Sequence, residues 1–415
     1  MLRRAHEAYA AERGRLHPGA EAWGGVGGAA RGVKCLHAHY AHYLAGGPDP
    51  IGAWVARRLA RRSEPVHHER PGRRVAAIDL GTNSIRLLVA RFAATDALPQ
   101  ELARDMVITR VGEGVDATGR IAPEALWRTL AVLRTYCRRA RALGAERIHL
   151  AATSAVRDAS NREELAGAVL RETGEPMEVL PGEEEARLSF LGATSGLDPS
   201  RFPPPYLVVD IGGGSTEFVV GEGSPAGGAG SVPGSAGAGG VRAISTNLGT
   251  VRLTERHVRT DPPAPEDLRA AERAMDVVLA QVERAVPVGG ARTLVAVAGT
   301  PTTVQAVALG LPEYDPAVLH RSILPLADAE RVLRLLVDMT TAERRSIPSM
   351  APGREDVIPI GAALLVRLMR RFGFGEALVS EADILDGLAA RLAAGEPPLP
   401  TESPRGRVGE PGPAR

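Results

Sequence analysis

The chain has 415 residues, with 50 Lys+Arg against 49 Asp+Glu, 44% apolar residues and only 4% aromatic ones. That length exceeds one ordinary core and argues for two domains plus accessory segments, and so few aromatic rings disfavour a protein built to stack on bases. Lys34 is the single lysine, which removes both a Walker A phosphate loop and a pyridoxal Schiff base, because each needs a lysine in a defined place.

Cys35 and Cys137 are the two cysteines, too few for a disulfide framework, so a cytoplasmic setting is expected. No stretch approaches the roughly 18 uncharged apolar residues of a membrane helix, and no signal-peptide core opens the chain. Residues 1–74 carry 13 Lys/Arg and 6 Asp/Glu, a net +7, which leaves about −6 for the rest of a +1 chain. A net-acidic body argues against nucleic-acid binding; an anion bound there must meet local amides, arginines or metal.

Residues 1–74 form a histidine-rich extension broken by Gly and Pro. The apolar β-formers on both sides of a tight turn in VAAIDL-GTNS-IRLLVARF predict a hairpin over 75–92, and 123–143 is spaced as a helix with Pro123 at its first position. RIHLAAT (147–153) reads as a strand. Ser160 or Asn161 should cap a helix ended by Gly174, and PGEEEARLSFLGATSG is a turn running into a helix. DPSRFPPP (198–205) is the best boundary, separating a lobe at 75–197 from one at 205–392.

The second lobe repeats the plan. YLVVDIGGGSTEFVVGE is a hairpin, 221–240 is a Gly/Ala/Ser/Pro-rich insertion expected to be disordered, and 241–257 returns as a strand entering a helix. A long helix over PEDLRAAERAMDVVLAQVERAV precedes a strand–turn–helix at RTLVAVAGTPTTVQAVALG. Helices then dominate to Leu392, and 393–415 reads as a disordered tail.

The chemistry sits in the doubled turn. Asp79, Gly81 and Ser84 align with Asp210, Gly212 and Ser215, and glycines there leave backbone amides open to phosphate oxygens. An aspartate beside phosphate is tolerable when a hard divalent cation lies between them. Two such turns, Gly81-Thr82-Asn83-Ser84 and Gly212-Gly213-Gly214-Ser215, would hold a phosphate chain between two lobes. Arg86 in one copy is replaced by Glu217 in the other; Asn83, Ser84 and Arg86 should bind phosphate or order the loop, while Glu217 faces metal or water.

Of Glu183, Glu184 and Glu185, one is suited to orienting and deprotonating water, and spacing alone does not say which. Thr153, Ser154 and Arg157 follow a strand end where ligands bind in α/β sheets. Gly299 and Thr300 in AGTPTT offer either an anion site or plain capping.

In this order, DLGTNSIR, TSAVRD, GEEEARL, DIGGGSTE and GTPTT resemble the exopolyphosphatase / guanosine pentaphosphate phosphatase family over roughly residues 75–392. NLGTVRLTE and REDVIPIG resemble further family segments. The resemblance implies a duplicated actin-like ATPase (ribonuclease H-like) α/β fold, two lobes around a central cleft. It implies Glu185, Glu217 and Arg157 as catalytic residues, with Glu185 the base, and Asp79, Asp210 and Glu217 on the Mg²⁺ side, with Mn²⁺ and K⁺ as further candidate cations. Asn83, Ser84, Arg157, Gly212, Gly213, Gly214 and Ser215 become phosphate contacts. The implied substrates are inorganic polyphosphate and guanosine pentaphosphate (pppGpp), and a homodimer is implied. Long family members continue into an HD-type helical domain; this chain resembles the short, two-domain form. A small-molecule kinase of the same superfold and a (p)ppGpp-binding regulatory module are the alternatives.

The segment GGVGGAARGVKCLHAHYAHYLAGGPDPIGAWV resembles the C-terminal end of an uncharacterised domain family of high-GC bacteria, as a fused fragment or a misplaced start would. Cys35, His37, His39 and His42 lack the usual zinc spacing.

Overall fold

The structure is a computed structural model and describes residues 72–93, 98–223 and 241–395. The expectations for the N-terminal extension through residue 71, for most of the 221–240 insertion and for the tail from residue 396 lie outside the described residues.

Lobe I opens with the expected hairpin, β1 (Arg73–Leu80) and β2 (Ser84–Phe92), and β3 (Gln100–Ile108) extends it. Helix α1 (Pro123–Ala142) starts with proline at its first position, followed by β4 (Arg147–Ala152), α2 (Ser154–Asp158), α3 (Arg162–Thr173), β5 (Met177–Val179) and α4 (Gly182–Thr194). Gly174 ends α3 at φ 75°, as its sequence position requires. Asn161 stands at the start of α3 without capping it. Its amide instead pairs with both backbone groups of Ile121, at 2.9 and 3.1 Å, tying α3 to the chain 40 residues earlier.

Lobe II repeats the order with β6 (Tyr206–Ile211), β7 (Thr216–Gly221), β8 (Arg242–Thr246), α5 (Thr250–His257), α6 (Pro265–Ala285), β9 (Thr293–Val297) and α7 (Gly299–Ala308). Two strands that the helical reading of the last hundred residues overlooked, β10 (Ser322–Pro325) and β11 (Glu376–Ser380), flank α8 (Leu326–Asp338) and α9 (Ile358–Phe372), and α10 (Ile384–Ala394) closes the described chain. Both strands are short and lie in helix-rich surroundings, so period-2 patterning had little length in which to show.

The sheets have the same topology. Lobe I runs β3-β2-β1-β4-β5; lobe II runs β8-β7-β6-β9-β11 with β10 added at the edge. In each, three antiparallel strands precede parallel ones. The expected duplicated α/β architecture is therefore present strand for strand. The central strands are sealed on both faces: β6 is buried at every position, and β1 from Val75 onward.

Two helices cross over. By sequence α4 ends lobe I, yet Ala186, Phe190 and Ala193 pack on Val208, Val219 and Val295 of the lobe II sheet. In return α10, from the end of lobe II, lays Ile384, Leu388 and Leu392 with Leu188 on Val75, Ala77 and Leu88 of lobe I. The helices meet through a reciprocal pair of glycines. A Cβ on Gly192 would strike the Asp383 carbonyl, and one on Gly387 would strike the carbonyl of Leu188. Only hydrogen at both Cα atoms allows so close a crossing.

Candidate active site

The crossing brings the C-terminal ends of β1 and β6 together. Register places Asp79 opposite Arg86 and Asp210 opposite Glu217. Each turn is closed by the same bond: Gly81 N donates to Ser84 O at 3.0 Å, and Gly212 N to Ser215 O at 3.0 Å. The turn carbonyls are used within the protein. Gly112 N reaches Thr82 O at 2.9 Å, Arg110 N reaches Asn83 O at 2.9 Å, and Val251 N reaches Gly213 O at 2.9 Å.

The turns do not face each other across open space. A Cβ on Gly213 would lie 3.2 Å from Thr82 Cβ and 3.3 Å from Asn83 Cβ, and one on Gly214 would lie 2.7 Å from Ser154 Oγ. Glycine at both positions lets the two lobes touch. Ion pairs hold this seam shut: Arg252 of α5 grips Asp116 and, at 2.6 Å, Asp158, Arg256 reaches Asp116 at 2.6 Å, and Arg110 reaches Asp356 at 2.7 Å.

Behind the turns stand the acids. Glu185, in the first turn of α4, is the only one of the three consecutive glutamates buried there; its Oε2 accepts from Arg157 Nη1 at 3.1 Å, and the same nitrogen donates to Leu180 O at 2.7 Å. Glu183 pairs with Arg187 at the surface, and Glu184 is held by Arg391 at 3.3 Å. Gly182 makes this approach possible, since a Cβ there would run into Ser245. Ser245 Oγ in turn donates to Glu217 Oε1 at 2.7 Å, and Ser189 Oγ donates to Asp210 Oδ2 at 2.5 Å.

These carboxyls share one buried, mutually repelling environment. Burial pushes Glu185 up to about 8, with Arg157 opposing and Asp210 and Asp79 adding to the rise. Burial and then the Asp383 charge raise Asp210 to about 6. Glu217 lies well above its usual range, through burial and then through Glu185 and Asp210. Burial likewise raises Asp79 against the pull of Arg86. Such a cluster binds protons or a cation, because either relieves the repulsion.

Arg86 sits within the cluster. Its Nε and Nη2 both donate to Asp79 Oδ2, at 3.0 and 2.7 Å, and Nη1 is taken by Asp383 Oδ2. Its guanidinium is thus occupied by carboxylates, which is an ordering role. Asp79 Oδ1 is buried with no hydrogen-bond partner. That orphaned oxygen, beside acids pushed toward protonation, suits a hard divalent cation. Among the described residues no three His, Cys, Asp or Glu side chains form a ligand set by themselves. A Mg²⁺ ion here would take one or two carboxylates and complete its shell with phosphate oxygens and water.

Thr153 donates to Leu80 O at 3.5 Å, and Ser154 Oγ is buried without a partner against Gly214. At Gly299, Arg354 Nη1 donates to the carbonyl at 3.0 Å and covers the start of α7, while Thr300 packs on Gly361. Asp383, Ser189 and Ser245 were not singled out from sequence. Asp383 had one legible signal, an acidic residue before an apolar helix with Asp386 three positions on, and the structure shows a capping box there.

Residues 88–393 match the Ppx/GppA phosphatase family, and residues 1–57 match a protein family of unknown function (DUF501). Exopolyphosphatase 2 of Mycobacterium tuberculosis is 43% identical over 333 residues, covering 77% of this chain and 98% of that protein. Among solved structures, an exopolyphosphatase-like protein shares 38% identity at a TM-score of 0.69, covering 77% of this chain and 98% of its own. The Ppx/GppA family member of Aquifex aeolicus shares 28% at 0.62, covering 78% and 98%. No helix among the described residues is long and apolar enough to cross a membrane.

Proposed function

The chain belongs to the Ppx/GppA phosphatase family, and from that premise we propose that it is a Mg²⁺-dependent exopolyphosphatase, releasing the terminal phosphate of inorganic polyphosphate. The observation that carries this reading is the placement of Glu185: a buried carboxyl, fixed by Arg157, set among Asp79, Asp210 and Glu217 where the two lobes meet. The M. tuberculosis relative, named as an exopolyphosphatase, supports the same substrate.

Glu185 orients a water molecule and takes its proton as the oxygen attacks the terminal phosphorus in line. The bridging P–O bond breaks, and the departing chain carries away the negative charge. Ser84, Ser215 and the amides of both turns receive the phosphate oxygens, and Arg157 both steadies Glu185 and faces the charge that develops. Of Asp79, Asp210 and Glu217, one or two would hold Mg²⁺ directly and the rest through water, and the ion supplies charge neutralisation at those oxygens when bound.

The test is phosphate release by the purified chain, with Mg²⁺, from long polyphosphate, tripolyphosphate, pppGpp and ATP. Steady release from polyphosphate is expected. pppGpp presents the same terminal anhydride, so its conversion to ppGpp forms the second arm. No release from any of the four abandons the hydrolase reading, and ATP-dependent phosphorylation of an acceptor would replace it with a kinase.

A further inference from the structure

Asp383 lies at the start of α10, 3% exposed, and works at several atoms at once. Its Oδ1 accepts the Leu385 amide at 3.0 Å as a helix cap, and its own amide donates to Asp386 Oδ2 at 3.0 Å. Its carbonyl seats against Gly192 where α4 and α10 cross. Asp386 is bound at 2.7 Å by Arg104 of β3, so the whole cap is anchored to lobe I. The remaining oxygen, Oδ2, reaches 297 residues back to Arg86.

Arg86 faces two acids and divides its donors unevenly. A guanidinium with one carboxylate for a partner prefers the parallel two-bond fork, one N–H to each oxygen. Here the Nε and Nη2 donors both converge on Asp79 Oδ2, Nη1 is drawn away to Asp383, and Asp79 Oδ1 is left without a partner although buried. The equivalent position in lobe II is Glu217, so the arrangement belongs to one half of the duplication only.

We propose that Asp383 is a positioning residue of the hydrolytic site: by holding Nη1 of Arg86 it confines that guanidinium to one oxygen of Asp79 and keeps the other free for the cation. The assignment rests on the cation-dependent reading above. It also links lobe crossing to the site, since the residue that seats against Gly192 is the one that sets Arg86.

The experiment uses Mn²⁺ as the probe and needs no turnover: its binding to the full chain is followed by electron paramagnetic resonance and calorimetry without substrate. Asp383→Asn can still cap Leu385 with its one oxygen, which turns the amide NH₂ toward Arg86. Asp383→Ser also caps and is too short to reach Arg86, so it serves if the first variant folds poorly. Either variant is expected to weaken Mn²⁺ binding about tenfold, with a matching rise in the Mg²⁺ needed for half-maximal phosphate release. In an Arg86→Met background, Asp383→Asn should change Mn²⁺ binding no further. Wild-type affinity retained within threefold by both variants, or an equal loss in the Arg86→Met background, overturns the assignment while leaving the hydrolase reading intact. A wild-type chain that binds no Mn²⁺ overturns the assignment together with the cation-dependent reading.

Discussion

Replacing Glu185 by glutamine should stop turnover and, at alkaline pH, strengthen the fold. Folded Glu185 ionises near 8 instead of the ordinary 4.5, chiefly because it is buried. A raised carboxyl favours the folded chain fully below 4.5, and that contribution is lost progressively as pH climbs to 8. The whole displacement corresponds to about 5 kcal/mol at 1.36 kcal/mol per pH unit. A glutamine side chain at this position never ionises, so it escapes this penalty. It keeps a carbonyl for Arg157, whose pull on the charged form is already contained in the raised value. Glu217 and Asp210 share the same repulsion, so part of the penalty relaxes onto them. We expect a net stabilisation of about 2 kcal/mol at pH 8.5 and almost none at pH 4.5–5. Melting curves of both proteins at the two pH values, with chelator present, read it as a rise of about 4 °C or more at pH 8.5 only. A variant that melts below wild type at pH 8.5, or with the same offset at both pH values, would refute a repelling buried carboxyl at this position.

Gly387→Ala tests the helix crossing. Alanine gains about 1 kcal/mol of helix propensity, but its methyl collides with the Leu188 carbonyl, and overpacking typically costs about 1–3 kcal/mol. A net loss of stability in urea is expected, and an unchanged or higher midpoint would mean the helices have room. Asp116→Asn removes the negative charge shared by Arg252 and Arg256 and one of its two acceptor oxygens. Faster hydrogen exchange at Gly112–Gly114 and a loss of about 1–2 kcal/mol are expected, and unaltered exchange would show that the seam closes without the ion pairs. Those arginines hold Asp116 below the usual carboxylate range, so its contribution is present above the ordinary value and disappears as pH falls through the lowered one. EDTA should abolish phosphate release and Mg²⁺ restore it; full activity in metal-free buffer would remove the cation from the mechanism.

Much of this protein is local and therefore legible in its sequence. The two hairpins are readable because each sets apolar β-formers on both sides of an Asp-x-Gly turn, and the repetition of Asp79-Gly81-Ser84 as Asp210-Gly212-Ser215 reports a duplicated fold. Gly174, as a left-handed helix end, and Pro123, as a first helical residue, follow from backbone chemistry alone. Which of three consecutive glutamates turns inward was not local: Glu185 is selected because α4 rests on the sheet of the other lobe, with Gly182 pressed on Ser245. Asn161 chose Ile121 over its own helix for the same kind of reason. The exchange of α4 and α10, the contact between the two turns, and the reach of Asp383 to Arg86 across 297 positions all join residues far apart in the chain. Sequence patterning records the faces that an element buries, whereas the partner on the far side of each face is set only when the lobes pack.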